Sequence, residues 1–186
     1  MEPMNQSSKD HWDCLCLLIQ TVNKGGYMLT SRLVQLIETH AQSLTREAVH
    51  DILTNERTKS FCKVPREELE PRVAAIYQNL GRWIGEPKED AVREEYEHWG
   101  KTRFRQGIPL CEIVYCVILT KKHLRRFIRE HGLVSFAGDL VTPSELVPVE
   151  LYGIQELNYM VGDFFDNALY YLALGYQEAG THRTAV

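Results

Sequence analysis

Cys116, Thr120 and His123 are the side chains with the clearest chemical potential, because steps of four and three residues place all three on one helix face. A histidine on such a face can ligate haem iron or another metal through a neutral ring nitrogen. His123 is therefore the candidate cofactor residue. The same position also suits a hydrogen-bonded structural histidine, because no second ligand accompanies it at metal-site spacing. His40 admits the same two readings, and His98, next to Trp99, reads as solvent-facing.

The five cysteines at positions 14, 16, 62, 111 and 116 form no zinc or redox pair, since Cys14 and Cys16 are one residue apart. An odd, irregular set fits a reducing cytoplasmic setting better than a disulfide scaffold, and no metal site is expected. Glu94, Glu95 and Glu97 splay around a helix and can be screened by Arg93 and Lys101, which makes a solvated face rather than a carboxylate pair. No phosphate loop, nucleophile elbow or zinc-binding HExxH occurs, so no catalytic residue is assigned and the chain does not read as an enzyme. The basic run Lys121-Lys122-His123-Leu124-Arg125-Arg126 suits the C-terminal part of a helix. With 21 basic and 25 acidic residues and a net charge of −4, the chain is not expected to bind nucleic acid.

The segments that must position these groups all follow a helical period. A short helix is expected from His11 to Val22, stopped by Lys24-Gly25-Gly26. A second runs from Ser31 to near Asn55, with Thr30 or Ser31 as N-cap and Leu33, Ile37, Ala41, Leu44, Ala48 and Ile52 as its stripe. The polar run after Thr54 ends it, and Phe61 to Val64 reads as a linker. Pro65 opens the third helix, whose stripe continues through Leu80 and Trp83 to a stop at Gly85 to Pro87.

The fourth helix spans about Glu89 to Gln106, with Val92, Tyr96, Trp99 and Phe104 apolar. Gly107 can close it in the left-handed conformation, and Pro109 suits the first turn of the next. The fifth helix, rich in apolar residues, ends at His131-Gly132, and Leu133 to Thr142 reads as a loop. The last helix is expected from Ser144 to Gln177, with a bend at Gly153. Ile154, Leu157, Val161, Phe164, Ala168, Tyr171 and Gly175 alternate steps of three and four along it, the seam pattern of a helix pair. Val161, Phe164, Ala168 and Tyr171 are accordingly the candidate dimer interface, with a wide core-facing stripe as the alternative. Tyr159, Phe164, Phe165, Tyr170, Tyr171 and Tyr176 either fill a core or line an apolar pocket. No apolar stretch approaches the roughly 20 residues of a membrane span.

These elements predict an all-α bundle of five or six principal helices. Residues 1–27 are a weakly patterned extension with a short helix, or an overextended start before Met28; 28–178 form the domain, and 179–186 a tail.

The step Phe104-Arg105-Gln106-Gly107, then Ile108-Pro109-Leu110 and Glu112-Ile113-Val114, resembles the RsbRD-type N-terminal sensory domain, a family named after an RsbT co-antagonist. Leu33 to Ala48, Val64-Pro65-Arg66-Glu67-Glu68-Leu69 and Ala168 to Tyr176 are compatible with it, over about residues 28–178. The resemblance implies a non-catalytic helical input domain of a bacterial signalling protein, commonly joined to an output module. Related input domains look like globins without haem, so a globin-like arrangement is one form the bundle can take. The expected function is sensory or regulatory: a small molecule or signalling protein binds, and helix packing, across a homodimer, relays the event. Haem or another cofactor on His123 is the alternative.

Overall fold

The computed structural model describes residues 30–85, 89–131 and 147–184, and every regular element among them is helical. Residues 30–39 form α1, and a one-residue turn at His40 separates it from α2, Ala41–Thr54. The expected single helix is thus two, and Thr30 lies within α1, with its Oγ1 donating to the Gly153 carbonyl at 3.3 Å. Leu33, Ile37, Ala41, Leu44, Ala48 and Ile52 are all buried, as their spacing requires.

Glu56–Lys63 is not a linker but a pair of short 3-10 turns joined at Thr58, whose φ of −131° departs from helical values. Thr58 ties its hydroxyl to the Ile52 carbonyl at 2.7 Å, and Phe61 is wholly enclosed. Pro65 caps α3, Arg66–Gln78, and Pro71 is carried inside that helix. The stripe expected to run unbroken to Trp83 is interrupted at Asn79 before α4, Leu80–Gly85.

α5 spans Glu89–Arg105 and α6 spans Leu110–His131. The corner between them closes as expected. Gly107 has φ +71°, its N–H reaches the Phe104 carbonyl, and the Ile108 N–H reaches Arg103. These two bonds satisfy carbonyls that a helix end leaves orphaned, while Ile108 is buried beneath the corner. Pro109 sits one residue before α6, where its carbonyl accepts from Glu112 and Ile113.

α7, Val147–Thr184, is a continuous helix that passes Gly153 and extends beyond the expected end at Gln177 into the expected tail. Its longest contact is with α5, its other flank meets α6, and α2 packs on α3 and α6. No described helix is long and apolar enough to cross a membrane. The short helix and Cys14 and Cys16 expected near the N-terminus, and the loop expected at Leu133 to Thr142, lie outside the described residues.

Val161, Phe164, Ala168 and Tyr171 are buried inside the bundle. The candidate dimer-interface positions thus face the chain's own helices, with Phe164 and Tyr171 also at the edge of a small cavity. The three-four spacing is shared by inter-chain seams and wide core stripes, and here it marks the core. Of the other rings, Phe165 is enclosed, Tyr176 is half-buried, and Tyr159 and Tyr170 face solvent.

Candidate functional site

A wide concavity lies where α6 and the first part of α7 diverge. It is a groove of about 1050 Å³ whose base reaches α2 at Asp51. Leu151 and Ile154 from α7 supply its open apolar wall, and the buried Leu119 and Ile128 from α6 lie behind it. Lys122, Arg125, Arg126 and Arg129 bring positive charge to it, and Asp51 is the one acidic residue of the lining among the described residues. This places a cationic groove on a chain whose net charge is −4.

The basic cluster arises because α6 changes character along its length. Ile113, Cys116, Val117, Thr120, Leu124 and Phe127 keep one face in the core, so the intervening basic residues turn outward. Each cation has a different local situation. Arg126 donates to Glu47 at 3.0 Å, and Arg129 approaches Glu130 at 3.8 Å. Lys122 stands 5.6 Å from the Tyr115 ring centroid. Arg125 has no carboxylate within salt-bridge reach among the described residues.

His123 forms the floor. It shares the core face with Cys116 and Thr120, as their spacing requires, and all three are buried. Its Nε2 lies 2.7 Å from Asp51 Oδ2, and Arg126 lies 2.8 Å from its Nδ1. A guanidinium only donates, so Nδ1 accepts and the ring proton stands on Nε2, donated to Asp51. The histidine thereby links α2 to α6. Ligation of haem or metal does not leave these contacts intact, because either ring nitrogen would first have to surrender a short, part-buried bond. Nor does any group of three or more His, Cys, Asp or Glu side chains converge among the described residues.

The pair also lacks what nucleophilic catalysis needs, since no serine or cysteine is bonded to His123. Cys116, two turns away on the same face, is enclosed, and burial pushes its thiol up to about 12. His40 is exposed, with its Nδ1 2.9 Å from the Leu36 carbonyl and its ring 5.5 Å from that of Phe127. His98 is exposed, and Glu97 is held by Arg93 at 2.7 Å and Lys101 at 3.8 Å.

Two buried charges escaped the sequence analysis. Arg103 has a side chain 0% exposed, donates to Glu68 at 2.8 Å and to Gln106, and lies near the rings of Phe61 and Trp99. Its Nε and second terminal nitrogen, and the Trp99 indole N–H, have no hydrogen-bond partner. Burial lowers the pKa of this guanidinium and Glu68 opposes the shift. Glu112 accepts from the Ser60 N–H at 2.7 Å and the Ser60 hydroxyl at 2.9 Å, binding α6 to the 3-10 segment. A signal for Arg103 was present: Val92, Tyr96, Trp99 and Arg103 follow steps of four, three and four, so the arginine continues an apolar stripe.

Among the described residues, the arrangement sets apolar walls beside positive charge, which can bind and hold. No family model, curated protein or solved structure matches the chain.

Proposed function

We propose that this chain is a non-catalytic sensory or regulatory domain in which binding at the α6–α7 groove is relayed along α7 to α5. The observation that carries this reading is the continuity of α7. Leu151 and Ile154 line the groove, while Gly175 on the same helix is locked against α5. About 36 Å of unbroken helix separates Leu151 from Gly175. A rigid rod touching a ligand site at one end and a tight helix crossing at the other can couple the two, provided the ligand prefers one packing over another by a few kcal/mol.

The resemblance to the RsbRD-type sensory domain points the same way, towards a bacterial, cytoplasmic input module acting on a signalling partner and, in a globin-like form, without haem. Self-association belongs to this reading too, through a surface other than the buried Val161–Tyr171 stripe.

The test is amide hydrogen exchange on the full chain. Any small molecule whose binding protects residues 122–129 is expected to change exchange in residues 97–104 and 170–178 as well. Protection confined to the groove, with the α5–α7 crossing unaltered, would remove the relay.

A further inference from the structure

We infer that the α6–α7 groove takes an amphiphilic organic anion, a carboxylate or phosphate head on an apolar chain. This deepens the regulatory reading above and rests on the same groove.

Three features select that chemistry. The lining surface is mostly apolar, with Leu151, 52% exposed, and half-buried Ile154 presenting hydrocarbon above the buried Leu119 and Ile128. A large aliphatic residue left that open on a groove wall is a surface that an apolar chain would cover. Part of the charge beside this wall has no carboxylate partner among the described residues. Arg126 is engaged by Glu47 and His123, but Lys122 and Arg125 have no carboxylate within salt-bridge reach among the described residues. Asp51, the one acid in the lining among the described residues, is held by His123, so it stands at the floor rather than among the free cations. The remaining feature is size. At about 1050 Å³ the groove exceeds what an inorganic ion needs and lies near the upper end of small-molecule sites.

A simple anion would satisfy Arg125 and Lys122 but leave the hydrocarbon wall wet. A neutral apolar molecule would cover the wall but leave the cations unpaired. The amphiphile does both. Its head would reach Arg125 and Lys122, and its chain would lie along Leu151 and Ile154. The same chemistry can arrive as a free molecule or as the anionic lipid of a bilayer, and a recessed groove favours the free molecule.

Decanoate below its micellar concentration is the probe, titrated calorimetrically into the full chain beside 1-decanol, inorganic phosphate and phosphatidylglycerol vesicles. Decanoate is expected to bind one site, with decanol and phosphate each weaker by about tenfold or more. The Lys122→Ala/Arg125→Ala double variant should lose about tenfold, and Leu151→Asp a similar factor. Both alter exposed side chains, and an unchanged circular dichroism spectrum verifies their fold. Decanoate binding no tighter than decanol and phosphate, equal affinity in the variants, or binding to vesicles without binding to free decanoate would each overturn the inference. If decanoate fails but another groove-bound molecule still alters exchange at the α5–α7 crossing, the ligand class is wrong and the relay survives. If decanoate binds in the groove and the crossing does not respond, the relay is wrong and the ligand class survives.

Discussion

Gly100 and Gly175 bring α5 and α7 together backbone against backbone. A Cβ at Gly100 would lie 2.1 Å from the Leu172 carbonyl oxygen, and one at Gly175 would lie 2.1 Å from that of Glu97. Both obstacles are main chain in the middle of helices, so no side-chain rotation can relieve them. Gly100→Ala or Gly175→Ala should therefore destabilise the fold by about 3 kcal/mol through overpacking. Gly162 on the same helix meets nothing within 4 Å, so Gly162→Ala should stabilise it by up to about 1 kcal/mol. Urea midpoints measured in parallel check the contrast, and an effect at Gly100 and Gly175 equal to that at Gly162 would refute the close crossing.

His123 and Asp51 join α6 to α2, and their bond is expected to be energetically coupled. His123→Ala and Asp51→Ala should each lower stability, with a double-mutant coupling of about 1–2 kcal/mol. Additive losses from chemical denaturation would mean that the two side chains act independently.

Arg103 and Glu68 should respond unequally to substitution. Glu68→Ala leaves an enclosed guanidinium without its carboxylate and should cost about 3 kcal/mol. Arg103→Met removes the charge together with its two unpartnered nitrogens and should be near neutral in thermal unfolding. A larger loss for Arg103→Met than for Glu68→Ala would reverse this account.

Alkaline pH should unfold the domain cooperatively. Burial pushes the Cys116 thiol from 9.0 to about 12, and raises Tyr77 and Tyr96 far above the ordinary 10.0. These groups keep their protons when folded and release them when unfolded, so the unfolded state binds fewer protons at high pH. Their contribution is complete below pH 9 and falls as pH rises towards and beyond 12, by about 1.4 kcal/mol per pH unit for each titrating group. Urea midpoints between pH 8 and pH 11 measure the slope, and Cys116→Val should flatten it by one proton. A flat profile would indicate that these side chains are solvated.

Ala168 is fully enclosed, so Ala168→Asp should abolish the native circular dichroism rather than dissociate an oligomer. Tyr170→Glu, on the solvent side of the same helix, should leave the fold intact. A folded Ala168→Asp protein of altered mass in solution would return this stripe to an intermolecular role.

Helical class was legible because it is written in periodicity. The stripe from Leu33 to Ile52 and the spacing of Cys116, Thr120 and His123 each specify a face, and those faces are buried. The corner at Gly107 was legible for a local reason as well, since a left-handed residue and a proline two positions later constrain the backbone by themselves. The 3-10 segment was not, because it is held from a distance: Ser60 is tied to Glu112, and Phe61 fills the core although its neighbours are polar.

Local patterns determined which residues turn inward and where α5 gives way to α6. Tertiary structure alone decided what those faces meet. It turned the Val161–Tyr171 stripe into the core, bound both nitrogens of His123, and set the bases of α6 against the hydrocarbon of α7. Periodicity fixes a direction around one helix axis, whereas a groove, a crossing or a buried ion pair depends on the separation of two axes, which no single segment encodes.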